Sequence, residues 1–184
     1  MSVGTAGDDV LHEEIEVVTD GRQAVLNIFA VDARWTGALV DTLKPTAQRV
    51  LELVQAQFDE PLGMSTLRLT DGEEVKTLNQ GFRGQDKDTN VLSFPAEDPA
   101  QSRAGAGEGG YLGDMAMSFD TCAREAQQDQ KQLVDHFAHL LIHSLLHLLG
   151  YDHIDDTEAE EMEQFEIELL AALGIQNPYS PIQE

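Results

Sequence analysis

The stretch His143-Ser-Leu-Leu-His147-Leu-Leu-Gly150-Tyr-Asp-His153 constrains the fold of this chain more than any other feature. Side chains four residues apart on an α-helix leave the same face one turn apart, so His143 and His147 can chelate one cation from a single helix. Gly150 stands where a helix C-terminus calls for positive φ, and the turn it permits carries His153 back to the same ion. A helix end, a tight reversal and three imidazoles are thus required at one point. Structural zinc sites usually close with four protein ligands, often including Cys, whereas three His leave a position open for water or substrate. The spacing points to a catalytic site for one divalent metal ion, and three imidazoles suit Zn2+, nickel and other divalent ions.

The same helix carries core. Phe137, Leu140, Leu141, Leu145, Leu146, Leu148 and Leu149 make it apolar over most of its circumference, as expected of a helix buried in a domain. His136 and His139 extend the histidine stripe toward the N-terminus. His139 and His147 stand about 12 Å apart along the axis and cannot share an ion. Pairing His139 with His143 leaves His147 and His153 without a role, so His136 and His139 read as supporting or structural residues.

The 184 residues, 41% of them hydrophobic, are enough for one domain with one core. No run approaches the roughly 18 apolar residues of a membrane span, and the acidic N-terminus is unlike a secretory signal. A cytoplasmic protein without membrane association is expected. The single cysteine, Cys122, reads as a small buried hydrophobe, because nothing near it suggests an activated thiolate. The formal net charge of −23 opposes broad polyphosphate binding, which relies on clustered Lys and Arg. No Lys or Arg follows Lys131, so any cationic surface beside the histidines has to come from upstream.

Residues 1–22 are polar and acidic and read as a largely disordered extension in which Ile15–Val18 is at most a strand fragment. The domain is expected over 23–180. Apolar alternation places strands at Ala24–Val31, Met64–Thr70, Thr89–Pro95 and Tyr111–Ser118. Helices are expected at Gly37–Phe58, at Glu73–Asn79 with Asp71 as N-cap, at Asp120–Gln128, at Gln132–Leu149 and from Asp155 to just before Gly174. Pro45 belongs in the first turns of its helix or at a local break. The Gly- and Ala-rich stretch Ala96–Gly110 reads as a loop long enough to move over the site. The acidic run Asp152–Glu168 lacks the spacing of a calcium-binding loop and reads as a solvated helix face.

The histidine spacing, with Gly150 included, is that of the metzincin metalloproteases, which place a Glu after the first His. Here Ser144 stands there, and a hydroxyl without a partner base cannot take a proton near neutral pH. A second constellation is more informative. Leu78-Asn-Gln-Gly-Phe82-Arg83-Gly84-Gln85-Asp86-Lys87-Asp88-Thr-Asn-Val-Leu-Ser-Phe-Pro95 puts a Gly-flanked Arg and a Lys in a loop leading into a strand. Together with Tyr111-Leu-Gly-Asp114 and the histidine motif, it closely resembles the YbeY family of bacterial endoribonucleases that mature ribosomal RNA. The resemblance runs from about Ala24 to Asn177-Pro178-Tyr179.

The resemblance implies an α+β single domain, a small mixed β-sheet of about four strands packed against about five helices, with the metal site at the C-terminal end of a core helix. It implies cleavage of single-stranded RNA in 3′-end maturation of small-subunit ribosomal RNA and in ribosome quality control. The family's metal ligands fall on His143, His147 and His153, and its functional arginine falls on Arg83. Implied partners are ribosomal RNA and the small ribosomal subunit or its proteins, with no nucleotide cofactor. A guanidinium beside a metal suits a phosphate, which it can hold bidentately while offsetting transition-state charge. The attacking group is water or an RNA hydroxyl. Departures from the family pattern are Ser144 for Gly, Gln85 for Lys, Asp88 for Pro and Phe82 for Tyr. Two of them lower positive charge beside Arg83, so weak unassisted RNA binding and reliance on a partner surface are expected. Two other readings stand beside this one. The first is a metal-dependent hydrolase of another bond, with a carboxylate such as Asp114 or Asp152 replacing the missing Glu. The second is a ribosome-assembly factor that acts mainly by binding.

Overall fold

The computed structural model describes residues 10–96 and 110–180. Strands β1 (Leu11–Thr19) and β2 (Arg22–Ala30) form an antiparallel hairpin in which Thr19 pairs with Arg22. Asp20 and Gly21 between them have φ of 53° and 77°, the double positive conformation of a type I′ turn, whose twist matches that of the flanking strands. Along β1, Ile15 and Val17 are buried while Glu14, Glu16 and Val18 are exposed. This corrects the expectation of a disordered extension over residues 1–22 and of a four-stranded sheet. Leu11–Thr19 is a fifth strand, fixed by the turn and by its two inward apolar side chains. Residues 1–9 of the expected extension lie outside the described residues.

Helix α1 (Gly37–Gln55) carries the chain across to β3 (Gly63–Thr70), which runs parallel to β2. Thr36 caps α1 by accepting from the Leu39 amide at 3.2 Å. Pro45 lies well inside the helix, where the missing N–H forfeits one bond. The helix stops at Gln55, short of Phe58, because the buried Gln55 amide serves the turn that follows. It donates to the Glu60 carbonyl at 3.0 Å and accepts from the Leu62 amide at 2.9 Å. Then come α2 (Gly72–Arg83), β4 (Val91–Pro95), β5 (Tyr111–Ser118), α3 (Phe119–Gln128), α4 (Leu133–Leu148) and α5 (Asp156–Ala172). The expected loop over Ala96–Gly110 falls almost wholly on residues 97–109, outside the described residues.

The sheet order is β1-β2-β3-β5-β4, with β2, β3 and β5 parallel and the edge strands β1 and β4 antiparallel to their neighbours. The parallel strands are interior, as sheets of this kind require. The main core gathers α1, α4 and α5 with residues of all five strands, and α4 is buried from His136 to Leu148 apart from three positions. A separate small cluster, Val75, Leu92 and Ala116 with Leu78 and Phe94 against it, packs α2 onto β4 and β5. Strand β4 thus lies between two helices, with Leu92 toward α2 and the Ser93 hydroxyl toward α4. Gly113 makes the close approach possible. With φ of 145°, a Cβ there would stand 2.4 Å from the Phe94 carbonyl oxygen and 2.9 Å from Leu148. No helix among the described residues is long and apolar enough to cross a membrane.

Candidate metal centre

Helix α4 ends as the motif requires. The Gly150 amide donates to the His147 carbonyl and the Tyr151 amide to the Leu146 carbonyl, both at 3.0 Å. With Gly150 at φ 95°, this is the paired 5→2 and 6→1 bonding of a Schellman cap. The reversal brings His153 over the helix end, and the ligand atoms of His143, His147 and His153 all lie within 4.8 Å of one another. Among the described residues, no carboxylate joins that group. Asp152 accepts from the His153 amide at 2.8 Å, and Asp114 accepts from the Tyr111 hydroxyl.

The hydrogen bonds decide which nitrogens are available. His147 Nδ1 donates to the Tyr151 carbonyl at 3.0 Å, and His143 Nδ1 donates to Glu166 on α5. A neutral imidazole has one proton, so both Nε2 atoms present bare lone pairs. They face each other at 3.0 Å, close to the roughly 3.3 Å expected of two imidazoles bound tetrahedrally to zinc at about 2.0 Å. Two confronted lone pairs repel, and a cation between them removes the repulsion. The three residues therefore fit a divalent metal. Burial first, and then the neighbouring His143 and His153, disfavour a proton on His147 and bring its pKa down to about 4.

Glu166 is the residue that sequence reasoning missed. It is fully buried, 0% exposed, and accepts from His143, from His139 at 3.1 Å and from the Tyr179 hydroxyl. Burial pushes its carboxyl up, but the hydrogen bonds from His139, His143 and Tyr179 outweigh that and hold it at about 2. A carboxylate behind a ligating histidine orients the ring and raises its basicity. The signal was present in the sequence: Glu166 falls four residues after Met162 and four before Leu170, within the apolar stripe of α5. The reading of Asp152–Glu168 as a solvated face therefore fails at this position. His139 supports the site through Glu166, while His136 bonds Glu125 at 2.8 Å away from it.

Ser144 turns the other way. It is fully buried, its Oγ 2.5 Å from that of Ser93 on β4, so it takes no part at the histidines and supplies no protease base. Arg83 is not in a loop, as its flanking glycines suggested. Gly84 adopts φ 67° and caps α2 in the left-handed conformation, so the helix continues through Arg83. A cation in the last turn also suits the helix dipole. Arg83 Nη2 donates to the Ser93 carbonyl at 3.2 Å. Arg83 and helix α4 thus both bond one residue of β4, with Ser93 bonded to Arg83 through its carbonyl and to Ser144, next to His143 in the chain, through its hydroxyl. Buried Asn79 shapes the chain after Arg83 by donating to the Lys87 carbonyl at 2.9 Å. Cys122 is fully buried with its thiol pushed up by burial, as expected of a core residue.

Residues 31–174 match the model of the family described as Endoribonuclease YbeY. The chain is 46% identical to the Endoribonuclease YbeY of Paramagnetospirillum magneticum over 147 residues, 79% of this chain and 89% of that protein. The chain belongs to the YbeY family. A second YbeY, from Alteromonas mediterranea, is 53% identical over 114 residues, 62% of this chain and 69% of that protein. The fold is similar to that of the solution structure of TM1509 from Thermotoga maritima. That match has a TM-score of 0.50 at 22% identity and covers 85% of this chain and 99% of the other. The YbeY match spans both the histidine motif and the Arg83 segment.

Proposed function

We propose that this chain cleaves single-stranded RNA in the 3′-end maturation of small-subunit ribosomal RNA, using one divalent ion, Zn2+ foremost, held by His143, His147 and His153. Family membership makes it an endoribonuclease acting on RNA phosphodiester bonds. The observation that carries the metal-dependent reading is the pair of bare Nε2 atoms at 3.0 Å, their Nδ1 protons committed elsewhere. A divalent ion bound there would supply Lewis acidity toward a phosphoryl oxygen or the attacking hydroxyl.

The remaining roles belong to the chain itself. Glu166 and the Tyr151 carbonyl hold two imidazoles in one tautomer, so no ring has to reorganise when RNA arrives. Arg83 spends one donor on Ser93. A guanidinium has five N–H donors, which leaves a fork able to clamp the scissile phosphate and offset charge as it builds on the phosphoryl oxygens. Ser93 sets the spacing between guanidinium and metal helix. Ribosomal RNA and the small subunit are the proposed substrate and partner surface, and the net charge of −23 favours contact with basic ribosomal proteins.

The test is elemental analysis of the purified protein coupled to cleavage of a ribosomal RNA precursor, with and without chelator. His143→Ala is expected to lose metal and cleavage together. Arg83→Glu is expected to lose cleavage, by at least about a hundredfold if one clamp on the phosphate is removed, while keeping its metal. Loss of metal on changing Arg83 contradicts this division of roles.

A further inference from the structure

We propose that the groove between α2 and the β3–β5–β4 end of the sheet is a nucleobase-stacking subsite, with Phe82 as its platform. Its occupant is the base of the nucleotide beside the phosphate held by Arg83, so the inference rests on the endoribonuclease reading above. Phe82 lies in the last turn of α2, next to Arg83 in the chain, and is 71% exposed. Its ring meets that of Phe94 on β4 with centroids 5.1 Å apart and planes inclined at 59°. One edge of the ring is thereby fixed while most of its surface remains open.

A single exposed aromatic side chain is ordinary. Here it coincides with two further features. The groove beside it has a volume of about 680 Å3 and is walled by Phe29, Leu78, Phe94, Met115 and Ala116, with Arg83 among its lining residues. That volume is within the roughly 300–1,000 Å3 typical of small-ligand sites. The second feature is charge. Most cations of this acidic chain have a carboxylate partner within 4.0 Å, among them Arg22, Arg34, Lys44 and Arg68. Arg83 bonds only the Ser93 carbonyl among the described residues. Asp114, the carboxylate in the groove, is occupied by the Tyr111 hydroxyl.

An aromatic platform, an apolar slot and an uncommitted guanidinium side by side match a ligand that alternates flat π-faces with anionic groups. Unpaired RNA is such a ligand, whereas a duplex keeps its bases stacked inside. Stacking on a side chain tolerates every base, so the subsite positions the strand without choosing its sequence. Phe82 is accordingly a positioning residue, and it acts on the placement of the phosphate at Arg83.

The experiment uses the full chain and a single-stranded RNA oligonucleotide in which 2-aminopurine, or an abasic nucleotide, is stepped through the positions flanking the cut. Wild type is expected to quench 2-aminopurine at one position. Phe82→Ala is expected to abolish that quenching and to raise Kd and KM about tenfold, with kcat within about twofold. Phe82→Tyr restores both, and all variants keep the wild-type Tm, because the side chain is mostly exposed. With the abasic nucleotide at that position, Phe82→Ala costs nothing further. Unchanged quenching and KM in Phe82→Ala overturn the subsite. So does an equal penalty on intact and abasic RNA, which would give the groove to another ligand such as a peptide. Phe82-dependent quenching without cleavage upholds the subsite and removes the nuclease reading, while cleavage without quenching does the reverse.

Discussion

Glu166→Gln probes the part of the site that lies farthest from the sequence motif. The substitution keeps the shape, removes the charge and replaces one acceptor oxygen with an NH2 group. Three donors converge on the wild-type carboxylate, from His143, His139 and Tyr179. Converting charge-assisted bonds to neutral ones costs about 1 kcal/mol, and turning an NH2 toward a buried donor costs a further 1–3 kcal/mol or so. A total of about 3 kcal/mol agrees with the depression of the carboxyl from 4.5 to about 2, which is also worth about 3 kcal/mol between its two protonation states. For a chain of this size that lowers Tm by roughly 6–12 °C. Metal affinity should fall about 10–100-fold, because the His143 ring loses its orienting acceptor. Competition with a chelating dye measures the affinity, and thermal unfolding in excess chelator measures stability without metal. Wild-type affinity in a variant whose metal-free Tm is also unchanged would refute the role given to Glu166.

Three further outcomes are expected. Asp120, held at about 2 by Arg34 beside it and by the Gly72 amide, stabilises the fold above pH ~4 and loses that contribution as pH falls from 4 toward 2, since its folded pKa lies below the unfolded one. Its side chain is 42% exposed, so solvent screening reduces the effect to about 1 kcal/mol; urea unfolding of Asp120→Asn should show that deficit at pH 7 and none near pH 2. Gly113→Ala sets a Cβ 2.4 Å from the Phe94 carbonyl oxygen at φ 145° and should cost about 2–4 kcal/mol, read as a fall in Tm. Metal present at about 100 times its Kd stabilises by about 2.7 kcal/mol, so chelation should lower Tm by roughly 5–10 °C, and His143→Ala should make Tm insensitive to chelator.

Features that depend on neighbours in the chain were legible from the residues alone. The i, i+4 pair His143 and His147, the Gly150 cap and the return of His153 follow from helix geometry and from the freedom of glycine at φ 95°. The apolar period of α4 marked it as a core helix, and β5 spans the expected Tyr111–Ser118. Some local signals were read wrongly. Asp20-Gly21 is a strong two-residue hairpin signal, and the acidic composition around β1 masks it. The glycines flanking Arg83 suggested a loop, yet Gly81 sits inside α2 and only Gly84 ends it.

By itself the sequence determined the three candidate ligands, their shared helix end and the family to which the pattern belongs, because each rests on spacing within a few residues. Tertiary structure decided what surrounds them. Glu166 reaches His143 across 23 positions, and Ser93 joins Arg83 to the metal helix across 10 positions on one side and 51 on the other. Contacts at such separations arise only when α5 packs on α4 and β4 is clamped between α2 and α4. No local period encodes that arrangement, since it is set by the burial of whole faces and by the pairing of every strand at once.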